Sequence, residues 1–230
     1  MTTRARLSAL LLAFSLALVG CGGSDTSEGS GDIADLSPDQ VIAAAEQQLA
    51  AEEFVSIKGK GTDRDEGTEL EIDLGFVGDT ASGTITTNGM ELELLKADGQ
   101  TYFKAGEEFF TSGGSDAETM DLVGGRWVLV DAANPTFGEL VSFVSKKDFF
   151  EQLLDPDGKV TKVDDKTVNG VECIGLKSTD STLYFDAEDG KPISLVTTED
   201  GSGTLDFTYD EIAEAEAPPA AEVVDLSKVS

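Results

Sequence analysis

The sequence predicts an α+β fold, a long antiparallel meander of strands with a helical pair inserted before its second half. Three observations carry that prediction. Apolar and acidic residues alternate through Leu70-Glu71-Ile72-Asp73-Leu74-Gly75-Phe76 and again through Met90-Glu91-Leu92-Glu93-Leu94. Such alternation marks strands with one apolar and one wet face, the habit of antiparallel sheets. Turn dipeptides punctuate the strand runs at Asn88-Gly89, Asp98-Gly99, Asp189-Gly190 and Asp200-Gly201. Between the two strand-rich halves, residues 136–145 and 147–154 change to a helical spacing of apolar side chains, and such helices need one sheet face to pack on.

The chain opens with Arg4 and Arg6 and no acid, followed by an apolar run over residues 7–19 that only Ser8 and Ser15 interrupt. That is the layout of a signal peptide, and the run is shorter than the ~20 residues of a membrane span. Leu18-Val19-Gly20-Cys21-Gly22 follows. It resembles the lipobox of bacterial lipoproteins, in which the Cys thiol receives a diacylglyceryl group and the preceding peptide bond is cut. The reading is therefore a signal peptide over residues 1–20, lipidation at Cys21, and a protein held by acyl chains on the extracytoplasmic face of a cell membrane. Arg4 and Arg6 are not adjacent, so nothing points to the twin-arginine route. Residues 22–35 are small, polar and acidic and read as a flexible tether from Cys21. Residues 36–230 remain for a single domain.

Ser37-Pro38-Asp39-Gln40 opens the first helix, with Ser37 as cap, Pro38 at the first helical position and Gln40 closing a capping box. Val41, Ile42, Ala45 and Leu49 form its apolar stripe. Strands are expected over residues 54–60, 70–76, 81–87, 90–94, 100–104 and 126–130. In the middle pair of helices, Ser145 caps the second and Asp155-Pro156-Asp157-Gly158 ends it. This turn lacks the remaining ligands of a calcium loop. Strands resume over residues 159–163, 167–177, 182–186, 193–198 and 203–209. Ala217-Pro218-Pro219 breaks regular structure before a short closing segment at residues 223–226.

Composition excludes several functions. The chain has 45 acids, 16 bases and no His. Removing residues 1–20 takes two Arg and no acid, which leaves 14 bases and a formal charge of −31. Such a surface repels nucleic acid and anionic headgroups at long range, although screening within about 8–10 Å leaves a locally lined cavity free to bind lipid. Without His there is no Ser-His-Asp or Cys-His catalysis and no imidazole metal site. Gly201-Ser202-Gly203 lacks the strand–turn–helix context of a nucleophile elbow. No enzyme, cofactor or metal is expected. Cys173, left without a disulfide partner once Cys21 is acylated, reads as a small buried apolar residue.

The order of elements resembles a known family. The features are the lipobox and acidic tether, Leu36-Ser37-Pro38, Gln100-Thr101-Tyr102-Phe103-Lys104, Gly125-Arg126-Trp127-Val128 and the apolar helical pair. After these come Thr167-Val168-Asn169-Gly170-Val171, Gly190-Lys191-Pro192-Ile193, Gly203-Thr204-Leu205-Asp206-Phe207 and the ending Pro218-Pro219 with Val224-Asp225-Leu226-Ser227. Over residues 36 to 228 this resembles the actinobacterial lipoproteins of the LppX/LprAFG type and, more distantly, Lol-type lipoprotein carriers. The resemblance implies a strongly curved antiparallel half-barrel sheet, helices over its concave face and an apolar cavity that takes up acylated lipid or glycolipid. The candidate lining is then Leu70, Ile72, Leu74, Phe76, Met90, Leu92 and Leu94 from the strands. Trp127, Phe137, Leu140, Phe143, Phe149, Phe150 and Leu153 would complete it. A single sheet must cover its apolar face either around such a cavity or with a fully packed core, and the residues leave both open. The first gives a monomeric, membrane-tethered lipid carrier. The second gives an anchored module that binds an envelope protein or wall component.

Overall fold

The computed structural model describes residues 32–63, 67–112, 121–130, 138–156, 158–197, 201–225 and 228. The signal peptide, Cys21, most of the tether and Phe137 lie outside the described residues.

Helix α1 (Pro38–Ala51) forms where the capping box places it. Ser37 Oγ accepts from the Gln40 amide and Gln40 Oε1 accepts from the Ser37 amide, while Val41, Ala45 and Leu49 are buried. Five strands follow as a continuous meander: β1 (Phe54–Asp63), β2 (Glu69–Val77), β3 (Thr80–Thr87), β4 (Met90–Ala97) and β5 (Gln100–Ala105). Short helix α2 (Glu107–Ser112) comes next, then β6 (Trp127–Val130), α3 (Gly138–Phe143) and α4 (Lys146–Leu153). The second half runs β7 (Thr161–Val168), β8 (Val171–Lys177), β9 (Ser181–Asp186), β10 (Pro192–Thr197), β11 (Gly201–Thr208) and β12 (Val223–Asp225).

The twelve strands form one open sheet in the order β12-β6-β5-β4-β3-β2-β1-β11-β10-β9-β8-β7. All pairings are antiparallel except β12 on β6. The two halves of the chain therefore meet where β1 pairs with β11. Register follows the alternation seen in the sequence, with Ile72 opposite Ile85 and Ile85 opposite Leu92 on one face. Gly59 and Gly83 sit where strands approach too closely for a side chain. A Cβ on Gly59 would lie 1.8 Å from the Thr204 carbonyl oxygen, and one on Gly83 2.0 Å from that of Asp73. Glycines at such places let a sheet bend.

Helices α1 to α4 lie on the inner face. Phe150 of α4 touches Phe76 of β2, Phe207 of β11 and Phe149, with ring centroids 6.0, 6.3 and 5.4 Å apart. Phe109 and Phe110 of α2 pack on Phe103 of β5 at 6.2 and 6.0 Å. These pairs have the tilted and edge-on geometries that aromatic rings prefer.

Two features differ from the sequence-based expectation. Residues 167–177 are not one strand, because Asn169-Gly170 turns the chain with both φ angles positive, 51° and 86°. This is another Asn-Gly hairpin turn, so β7 extends to Val168, with a register shift between Val163 and Lys166. Helix α2 is an addition, since Glu107 to Ser112 is too short for helical periodicity to register. The outer face is crossed by residues 209–222, which lead from β11 to β12. Ile212 lies over Gly75, and residues 216–219 border Leu95 and Trp127.

Candidate functional site

The inner face divides into a packed half and a grooved half. Over β1–β5 the candidate residues Ile72, Leu74, Phe76, Leu92 and Leu94 are buried, as is Phe150 above them. Leu140, Phe143, Phe149 and Leu153 are partly buried against the same core. Of the strand candidates, Met90 is half-buried at the start of β4, beside Glu91 and Phe109. Leu70, at the start of β2, is 38% exposed. Trp127 lies on the other face. Its neighbour Val128 pairs with Phe103 on the inner face, so period-two alternation turns the indole outward, where the Lys104 ammonium stands 5.7 Å from the ring centroid.

The groove lies over the second half of the sheet and, among the described residues, contains one of the sequence-derived set, Leu153. Its floor is Leu176 of β8, Leu183 and Phe185 of β9, and Leu195 of β10. Its walls are Ile42 of α1, Leu153 and Leu154 at the end of α4, and Pro156 and Val160 of the following loop. The volume is about 310 Å³. Among the described residues the polar groups of the lining are Gln152, Asp155, Ser178, Asp180, Ser181 and Thr197, and none is cationic. Leu183 and Phe185, two residues apart in β9, carried a weaker signal than residues 70–76, because an aromatic Tyr184 rather than an acid stands between them. What concealed it was the helical pair, which reaches only partway across β8–β10.

A second groove of about 510 Å³ opens between α1 and the start of α4, floored by Leu49, Phe150 and Leu154 and rimmed by charges. Leu154 is common to both grooves. At this rim Lys146 donates to the Glu52 carbonyl oxygen, and burial holds its ammonium below the usual lysine range against the pull of Glu52 and Asp79. Lys191 ties the same end of α1 to the β9–β10 turn. Its Nζ lies 2.7 Å from Glu52 and 3.1 Å from Asp189, and the hydrogen bond to Glu52 raises its pKa. Tyr209, 5.2 Å from that ammonium, donates to the Pro192 carbonyl oxygen at 2.7 Å. These contacts fix α1 and α4 over the sheet while leaving the far end of α4 beside the groove.

Among the described residues no group of three or more His, Cys, Asp or Glu is placed to hold a metal ion. No described helix is long and apolar enough to cross a membrane. Cys173 is buried and free, and burial pushes its thiol pKa up.

No protein-family model and no curated protein matches the chain. Solved structures do. LprF from Mycobacterium bovis aligns at 10% identity with a TM-score of 0.49, covering 77% of this chain and 95% of that one. Lipoprotein LppX of Mycobacterium tuberculosis aligns at 11% identity and a TM-score of 0.42, covering 77% and 100%. An uncharacterized conserved protein from Thermus thermophilus aligns at 12% and 0.43, covering 83% and 99%.

Proposed function

We propose that this chain is an extracytoplasmic lipoprotein, anchored by acyl chains on Cys21, that binds an acylated lipid with one acyl chain in the groove over β8–β10. The observation that carries the reading is the lining of that groove. Four strand side chains, Leu176, Leu183, Phe185 and Leu195, form an apolar floor, which Ser181 and Thr197 continue as polar positions at one end of the same face. Burying acyl methylenes there contributes about 0.8 kcal/mol each, so affinity needs no catalytic or charged residue. At about 310 Å³ the groove is at the small end of the roughly 300–1,000 Å³ range of small-molecule sites. That size supports one chain rather than several. The absence of Lys and Arg among the described residues of its lining weighs against a phosphate or carboxylate headgroup held inside it.

The packed half of the inner face favours a second reading. The rings of Phe76, Phe149, Phe150 and Phe207 fill the space that the resemblance assigns to a cavity, as in a module that works through its surface. Native mass spectrometry of the mature chain from an actinobacterial host, followed by lipid extraction, separates the two. A carrier shows a defined mass excess that extracts as one acylated class and disappears in Leu183→Asp. A bare polypeptide mass, with no uptake of offered single-chain lipids, rejects the carrier and leaves the surface module.

A further inference from the structure

The outer face of the sheet holds a site of different chemistry, and Trp127 marks it. A cleft of about 530 Å³ runs between the sheet and the crossing segment, with Trp127, Glu91, Glu93 and Thr84 on the sheet side and Glu216 with Pro218-Pro219 on the other. Trp127 is half-buried, and an indole in that position presents an apolar face beside polar neighbours. Glu93 is paired with Lys104 at 2.8 Å. Glu91 and Glu216 are exposed and make no ion pair among the described residues. Glu91 and Glu93 also line an adjoining cleft of about 350 Å³ that continues toward Gly106, so the two form one extended trough.

We propose that this trough binds a neutral oligosaccharide. An aromatic face next to carboxylates and a hydroxyl is the combination a polyol requires. The ring packs on the apolar C–H face of a sugar unit. The carboxylates accept its hydroxyl protons in charge-assisted bonds about twice as strong as neutral ones. Four carboxylates, those of Glu91, Glu93, Glu108 and Glu216, against the single ammonium of Lys104 repel phosphate, sulfate and uronate groups. Pro218-Pro219 fixes its far wall in a conformation with little entropy to lose on binding.

Trp127 is the only tryptophan of the chain, so its emission reports on this site alone. The experiment titrates the mature chain with maltohexaose, mannotetraose and chitotetraose, with trigalacturonate as the anionic control. At least one neutral oligosaccharide is expected to shift the emission saturably, with half-saturation at or below about 1 mM. Glu91→Gln is expected to weaken that binding about tenfold, equal to about 1.4 kcal/mol, and trigalacturonate to give no shift. Because Glu91 is exposed, its variant leaves the core untouched. Trp127→Phe, followed by calorimetry, is expected to weaken binding while the chain stays folded. The proposal is overturned if no neutral saccharide shifts the emission, if trigalacturonate does so equally, or if Glu91→Gln and Glu216→Gln both leave the shift unchanged.

Discussion

At the scale of single residues, the positions that constrain the fold most are those with the least room. Gly59 faces the Thr204 carbonyl oxygen across the β1–β11 pairing, which joins the two halves of the sheet. Gly59→Ala has to push those strands apart, and a loss of about 3 kcal/mol or more is expected from overpacking at such a site. Urea titration of the two proteins measures it. An unchanged midpoint would mean that the β1–β11 pairing accommodates the added methyl. Tyr209 gives a pH-dependent counterpart. Burial, reinforced by the carboxylates of Asp189, Glu52 and Asp186, drives its phenol pKa far above the usual value. The folded state therefore keeps the proton at a pH where the unfolded chain releases it, near 10. Above that pH the folded state binds more protons than the unfolded one, so stability falls as pH rises. Tyr209→Phe should lower stability by about 1 kcal/mol at neutral pH through loss of the bond to Pro192. It should also flatten the decline between pH 10 and 12. Equal alkaline slopes in the two proteins would remove Tyr209 as the cause.

At the scale of elements, α4 is the piece on which the inner face depends. Eight residues long, it is held by the Ser145 cap, whose side chain accepts from the Asp148 amide, by Phe150 against Phe76 and Phe207, and by Phe149 against Phe76. Phe150→Ala should cost about 3–5 kcal/mol. Leu153→Ala, half-buried at the groove end of the same helix, should cost less and weaken lipid uptake more. Thermal unfolding together with lipid extraction tests the pair, and equal losses of uptake would deny that the groove is the binding place. The elements themselves were mostly legible in the sequence. Capping chemistry at Ser37 and Ser145 and strict alternation at residues 70–76 and 90–94 are local signals, and each element formed where they pointed. The site was less legible, for a physical reason. Alternation says which residues share a face, but not which half of that face the helices cover. Ile72, Leu74 and Phe76 have the same pattern as Leu183 and Phe185, and only the reach of α1 and α4 separates filled core from groove. Trp127 illustrates the same limit, since strand parity fixed its face only once its pairing with β5 was known.

For the molecule as a whole, the question is how an open sheet of twelve strands keeps both ends and its outer face from associating. At one end β7 carries Lys162, Asp164, Asp165 and Lys166 and a register shift, devices that discourage edge pairing. At the other end β6 would be an edge, but β12 covers it through parallel pairing of Val223, Val224 and Asp225 with Trp127, Val128 and Leu129. Reaching that place from β11 means crossing seven strand spacings, roughly 34 Å at about 4.8 Å each. The fourteen residues from Tyr209 to Glu222 extend to roughly 46 Å at most, so this segment has to be largely extended, which its two prolines favour. Arg126 secures the landing by donating to the Ala221 carbonyl oxygen at 3.2 Å. Removing residues 211–230 should therefore do three things together. It exposes β6 as an edge and uncovers Leu95, now 7% exposed. It loses at least about 2 kcal/mol through the burial of Val224 alone. It also shifts the emission of Trp127 to the red as water reaches the ring. Fluorescence, chemical denaturation and sedimentation of the shortened chain read these effects separately. A blue or unchanged emission with unaltered stability would mean that the crossing segment rests on the sheet without contributing to it. The expected result, a red shift with concentration-dependent association, would make the C-terminal segment the closure of the fold, since it seals the edge and roofs the outer trough at once.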